Sequence, residues 1–188
     1  MLGRADAAAG IERLASQVAD SGGVYFVPAL VGLGAPHWND AARGLISGLV
    51  SGTRPAHLAR ATLESIAYQV RDVLDALARD GGFEPGCLLA DGGGSRNDLL
   101  MQIQADLAGV PVIRSASAEL SALGAAWLAG LAIGVWSSED ELKTLAPAGD
   151  RFEPRISAVE RDALLAGWQH AVACTLFDAA GRARERKG

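Results

Sequence analysis

The sequence predicts an α/β domain in which parallel strands are flanked by helices. Two observations carry that reading. The first is a strand–helix–strand run. Cys87–Ala90 forms a short apolar strand, Asn97–Ala108 a helix with Leu99, Ile103 and Leu107 on one face, and Val110–Arg114 a second strand. Two strands joined by one helix pair in parallel through a right-handed crossover. The second is a long amphipathic helix, Pro55–Arg79, whose Leu63, Ile66, Val70, Val73 and Leu77 recur at helical spacing.

The remaining elements follow in chain order. Ala5–Val18 predicts a short amphipathic helix with Ile11, Leu14 and Val18 on its apolar side, broken by Gly22-Gly23. Val24–Val27 predicts a strand stopped by Pro28, and Leu45–Val50 a second extended segment. Between them, Gly32–Asn39 is a Gly/Pro-rich loop containing Trp38. Pro55 suits the first position of the long helix, where its missing N–H costs nothing, and Gly81-Gly82 ends it. Leu120–Ile133 predicts a buried helix whose Gly124, Ala125, Ala126, Ala129 and Gly130 let it approach another backbone closely. Ser137–Glu141 offers a serine cap and acids at a helix start. Pro147–Pro154 reads as a linker, and Ser157–Glu160 as a capping box opening a last helix to about Phe177. A domain over residues 1–178 and a disordered tail over 179–188 are expected.

Composition narrows the function. The chain has 188 residues, nearly half of them apolar, enough for one core without disulfides. Its net charge of −5 gives no basic footprint for nucleic acid. No apolar run approaches the roughly 20 residues that span a bilayer, and Met1–Gly10 shows no signal-peptide pattern. A cytoplasmic protein without membrane or nucleic-acid partners is expected. Cys87, Cys174, His37, His57 and His170 form no metal motif, and reduced, partly buried thiols are expected. His57 reads as a helix-surface residue and His37 as a loop anchor. Asp40 with Arg43 and Glu64 with Arg60 read as structural ion pairs. No Ser, Cys or Thr has the context of a nucleophile, so no catalytic residue is assigned.

The candidate site is Asp91-Gly92-Gly93-Gly94-Ser95-Arg96-Asn97. Glycines between a strand and a helix let backbone N–H groups approach a ligand, and the helix N-terminus adds donors and partial positive charge. Asn97 is placed to meet an adenosine or to cap the helix. A bulky side chain at Gly93 is expected to fill the space of the ligand and to resist a positive φ. From the residues alone, a turn whose glycines only solve the connection stands equally beside a nucleotide loop. Neither the Rossmann spacing nor a Walker A lysine is present.

The order of several segments bears on that choice. Gly44-Leu45-Ile46-Ser47-Gly48-Leu49, followed by His57-Leu58-Ala59-Arg60-Ala61-Thr62-Leu63-Glu64 and Ser65–Leu74, resembles the second signature of the FGGY carbohydrate kinases. Gly23–Ala29, Gly32–Trp38, Asp91-Gly92-Gly93 with Asn97, Leu100–Asp106 and Ala122–Gly130 are similar to the glycerol kinase branch of that family. The similarity covers roughly residues 2–175.

The resemblance implies part of the second actin-like, ribonuclease-H-like ATPase domain, with a mixed sheet. It implies that Gly93 and Asn97 contact an adenine nucleotide, with Asp91, Gly92 and Gly94 completing the loop. It implies ATP or ADP with magnesium as cofactors, the magnesium ligands lying in an N-terminal domain that is the missing partner. The family's Asp-x-Gly-Thr phosphate loop, its aspartate base and its polyol or sugar pocket are not in this sequence. A gene fragment or half of a split enzyme, inactive alone, is therefore expected. A pentulose or erythritol kinase, a non-catalytic nucleotide-binding or interaction module, and a homo-oligomer stay open.

Overall fold

A computed structural model describes residues 4–82, 84–116, 120–145 and 149–185. The elements run α1 (Arg4–Ala15), β1 (Tyr25–Val27), β2 (Leu45–Ser47), α2 (Pro55–Gly81), β3 (Leu88–Ala90), a 3-10 turn (Gly93–Arg96), α3 (Asp98–Ala108), β4 (Val112–Arg114), α4 (Leu120–Ala132), α5 (Glu139–Leu145), β5 (Asp150–Phe152) and α6 (Ala158–Glu185). They form an antiparallel pair β1–β2 and a mixed three-stranded sheet β3–β4–β5. The predicted crossover is present: β3 pairs β4 in parallel, Leu88 opposite Val112 and Ala90 opposite Arg114.

Helix α3 joins two cores. Ile103 and Leu107 face a cluster with Leu63 and Ala67 of α2, Val27 of β1 and Trp168 of α6. Leu100, Met101 and Ala105, on another side, bury against Val112, Leu88 and Phe152. At the centre of the first cluster the Tyr68 ring stacks on Trp168, centroids 5.1 Å apart, and tilts against Tyr25 at 5.8 Å. Trp168 Nε1 donates to Asp72 Oδ2 at 2.8 Å. The same oxygen lies 3.5 Å from His37 Nε2, so His37 anchors its loop as expected.

Several expectations are corrected. The buried line of α2 is Ala56, Ala59, Leu63 and Ala67, whereas Ile66, Val73 and Leu77 are exposed. Alanines let α1, α3 and β1 approach α2 closely, and that close packing, not residue size, selects the covered face. Helix α4 is not buried: only Gly130 is, against Trp136 of the following turn, and a Cβ at Gly124 would meet nothing within 4 Å. Small residues permit a close neighbour without supplying one.

The linker expected over 147–154 contains β5, antiparallel to β4 with Phe152 opposite Val112. Its sequence, Asp-Arg-Phe, carries no local strand signature, and pairing makes the strand. Residues 146–148 lie outside the described residues. Helix α6 runs from Ala158 to Glu185, past the end expected for it at about Phe177, and residues 186–188 lie outside the described residues. Helix α1 ends at Ala15, before Val18.

Two side-chain readings also change. Arg43 donates to the backbone carbonyls of Asp40 and Ala42, not to the Asp40 carboxylate. His57 is a cap: its Nδ1 accepts from the Arg54 amide at 3.0 Å. The thiols differ in burial, Cys87 being partly buried and Cys174 exposed. No helix among the described residues is long and apolar enough to cross a membrane.

Arg60 Nε donates to Glu64 Oε1 at 2.8 Å, and the Glu64 side chain is 7 % exposed. Burial raises the Glu64 carboxyl above the usual range, opposed by Arg60. Between the ordinary and the raised pKa, the folded chain holds a proton that the unfolded chain has lost. Stability therefore falls as pH rises through that window. Glu64→Gln removes this slope, so the variant's stability relative to wild type is expected to increase from acid to neutral pH. Urea midpoints measured across pH check it, and parallel profiles would contradict it.

Candidate functional site at the carboxyl ends of the parallel strands

Parallel pairing places the carboxyl ends of β3 and β4 side by side, and open α/β sheets bind ligands at such ends. Ala90 and Arg114 are cross-strand partners, and the Ser115 amide donates to the Ala90 carbonyl at 2.9 Å. The chain leaves β3 through Asp91–Asn97 and leaves β4 through Ser115. Between these exits lies a cavity of about 330 Å³, lined by Leu89, Ala90, Asp91, Ile113, Arg114, Ser115, Leu120 and Gly149. A more polar hollow of about 420 Å³ adjoins it, reaching Ser95, Arg96, Asp98 and Asp150.

The loop is one turn of 3-10 helix. Gly92 precedes it at φ 79°, ψ −172°, a conformation essentially restricted to glycine. Gly93 opens the turn without a positive φ, and a Cβ there would meet nothing within 4 Å. The expectation of backbone strain at Gly93 is corrected: the requirement belongs to Gly92. Ser95 is buried, and its hydroxyl donates to the Gly92 carbonyl at 2.8 Å. Asp91, Gly93 and Gly94 are exposed, while Gly92 and Asn97 are partly covered.

Asn97 is the N-cap of α3, its Oδ1 accepting from the Leu100 amide at 2.7 Å. The neighbouring Leu99 amide donates to Glu12 Oε1 of α1 at 3.2 Å. Two first-turn donors of α3 are thus already used, one of them by a carboxylate. The expectation that this helix N-terminus offers free donors to a phosphate is corrected accordingly. Sequence reasoning missed Glu12 because its partner lies far along the chain.

It also missed Arg114. This guanidinium meets Asp98 Oδ1 and Asp150 Oδ2, donates to the Ser95 carbonyl at 3.1 Å, and lies 5.2 Å from the Phe152 ring centroid. These hydrogen bonds raise its already high pKa further, Asp150 contributing most. An arginine ending a strand beside a glycine loop is the only local signal that could have flagged it.

Among the described residues, Glu12, Asp91, Asp98 and Asp150 outnumber Arg96 and Arg114 around this site. Coulombic repulsion disfavours a polyanion here. The cavity walls, Leu89, Ala90, Ile113 and Leu120, suit a flat, largely apolar group, with Asp91 supplying a polar edge, whereas Gly92, Gly93, Gly94 and Asn97 do not line it.

Residues 2–133 match the model of the FGGY family of carbohydrate kinases, C-terminal domain. Glycerol kinase of Dechloromonas aromatica (strain RCB) is 55% identical over 171 residues, 91% of this chain and 34% of that protein. Glycerol kinase of Nitratidesulfovibrio vulgaris (strain DSM 19637 / Miyazaki F) is 53% identical over 162 residues, 86% of this chain and 33% of that one. Among solved structures, Plasmodium falciparum glycerol kinase with ADP superposes with a TM-score of 0.84 at 35% identity, covering 89% of this chain and 34% of that one. Xylulose kinase from Rhodospirillum rubrum superposes with a TM-score of 0.79 at 29% identity, covering 95% and 36%. The chain spans about a third of the length of these relatives.

The backbone yields a test at adjacent glycines. Gly92→Val is expected to destabilise the fold by about 1–3 kcal/mol through its disallowed φ. Gly93→Val is expected to stay within about 0.5–1 kcal/mol of wild type, its side chain entering open space. Urea unfolding of both variants checks the contrast, and equal losses would contradict it.

Proposed function

Because this chain belongs to the FGGY family of carbohydrate kinases, we propose that it forms the nucleotide-binding side of an ATP-dependent polyol kinase that phosphorylates glycerol to glycerol 3-phosphate. One observation carries the site: the cavity at the carboxyl ends of β3 and β4, which Asp91, the first residue of the turn, helps to line. The adenosine end of ATP or ADP binds there. Leu89, Ile113 and Leu120 cover the base, Gly93 lets the ribose approach the backbone, and the Asn97 side chain offers a polar edge beside its capping bond. Asp91, Gly92 and Gly94 complete the turn. The acidic surroundings direct the phosphates away from α3 and toward the opposite wall of the cleft.

Phosphoryl transfer depends on positioning and on charge stabilisation around the phosphates. This chain contributes the first of these by fixing the nucleoside. The aspartate base, the Asp-x-Gly-Thr phosphate loop and the glycerol pocket are assigned to the N-terminal kinase domain that pairs with it. Magnesium accompanies the nucleotide phosphates. Among the described residues no group of three or more His, Cys, Asp and Glu side chains converges, and its ligands are assigned to the N-terminal domain. A cytoplasmic location goes with this reading.

Another FGGY substrate, a pentulose in particular, is the second reading. The likeness to xylulose kinase at a TM-score of 0.79 favours it over unrelated chemistries, and the 55% identity to a glycerol kinase outweighs it.

Half a cleft buries half a ligand, so the isolated chain is expected to bind ADP only at about millimolar Kd, roughly −4 kcal/mol. An ADP titration followed by amide chemical shifts is expected to move Asp91–Asn97 and Ser115. Shifts confined to other residues would contradict the site. With ATP, magnesium and glycerol, the chain alone is expected to show no turnover above background, and turnover that follows the purified chain would contradict the division of labour.

A further inference from the structure

We propose that Arg114 is the positioning residue of the nucleotide turn. It acts through the Ser95 carbonyl to hold Gly92–Asn97 against the ends of the parallel strands. The inference rests on the nucleotide reading of that turn.

The geometry forms a relay. The Arg114 guanidinium donates to the Ser95 carbonyl at 3.1 Å, and the Ser95 hydroxyl donates to the Gly92 carbonyl at 2.8 Å. Ser95 is 6% exposed, so both bonds sit where water competes little. The last residue of β4 is thereby linked, through one buried serine, to the glycine whose conformation starts the turn. Two carboxylates aim the guanidinium from either side, Asp98 from the first turn of α3 and Asp150 from β5. Phe152 backs it, and the Arg114 side chain is 19% exposed.

This arrangement separates positioning from ligand contact. A guanidinium engaged by two carboxylates and a carbonyl has its charge satisfied and few donors left for a phosphate. Asp98 and Asp150 are each about 70% exposed, so as separate surface pairs they would be weak. Their effect lies in orientation, because a planar fork held on two sides presents its remaining edge to Ser95 in a fixed direction. Lysine cannot do this: it carries the charge but not the fork.

The test is amide hydrogen exchange of the whole chain without ligand, in wild type, Arg114→Met and Arg114→Lys. Arg114→Met is expected to speed exchange at Ser95 and Asn97 by about tenfold or more, the equivalent of one charge-assisted hydrogen bond. Amides of α2 and around Trp168 are expected to keep their wild-type rates. Arg114→Lys is expected to preserve the unfolding midpoint better than Arg114→Met yet leave the turn equally fast. If Arg114→Met fails to fold, the Asp98→Asn/Asp150→Asn double variant, which keeps Arg114 but frees its aim, is expected to shift turn exchange in the same direction. Unchanged turn exchange, a uniform rise across the chain, or full rescue by lysine would overturn the proposal.

An ADP titration on the same samples separates the two readings. Wild type that shows no shifts in the turn defeats the nucleotide reading, while the exchange rates still decide the role of Arg114. Equal ADP affinity in wild type and Arg114→Met, with unchanged turn exchange, defeats the role of Arg114 and leaves the nucleotide reading standing.

Discussion

Parallel strands cannot be joined by a tight hairpin, and the pairing of β3 with β4 therefore sets the geometry around the site. The chain must cross over the sheet between them, and α3 is that crossover. Because it bridges two strands and packs on α2 and α6, α3 needs apolar residues on more than one side. Ile103 and Leu107 face one cluster, and Leu100, Met101 and Ala105 face the other. The crossover also brings Ala90 and Arg114 into register as neighbouring strand ends. A turn at one end and an arginine at the other meet there because the topology leaves them no other place.

The same constraint shapes the electrostatics. A crossover helix starts beside the site, and its N-terminus would ordinarily attract an anion. Here Glu12 and Asn97 take the Leu99 and Leu100 amides, so α1 and the cap residue claim what a phosphate would use. The surface left to a ligand is apolar between the strand ends and acidic around them. That combination suits a nucleoside better than its phosphates. It agrees with the proposed division of labour, in which one domain holds the base and ribose and the other holds the reacting groups.

Much of this was legible in the sequence, for reasons that differ by element. The limits of α2 follow from Pro55 and from Gly82, which adopts the left-handed conformation at its C-cap. The crossover follows from two apolar runs around one amphipathic helix, and the capping box at Ser157 and Glu160 from their spacing. The family follows from the order of segments that are individually weak. What stayed hidden depends on distant partners. β5 is a strand only because β4 pairs with it. Glu12 caps a helix far along the chain, and the environment of Arg114 comes from three separate elements. The exposed face of α4 shows the same limit, since Gly124 and Ala125 describe a capacity for contact. At Gly92 and Gly93 the sequence marks a glycine turn, and only the backbone angles show which glycine is obligatory.

The most direct measurement is photo-crosslinking of the chain with an azido-adenine ADP, with the labelled peptides identified by mass spectrometry. Label is expected on the strand ends and the walls between them, within residues 88–98, 113–116 and at Leu120, with protection by excess ADP. The groove between α1 and α2, lined by Ile11, Leu14, Leu58 and Thr62, is an alternative cavity. Protectable label confined to that groove would contradict the assignment of the nucleotide site.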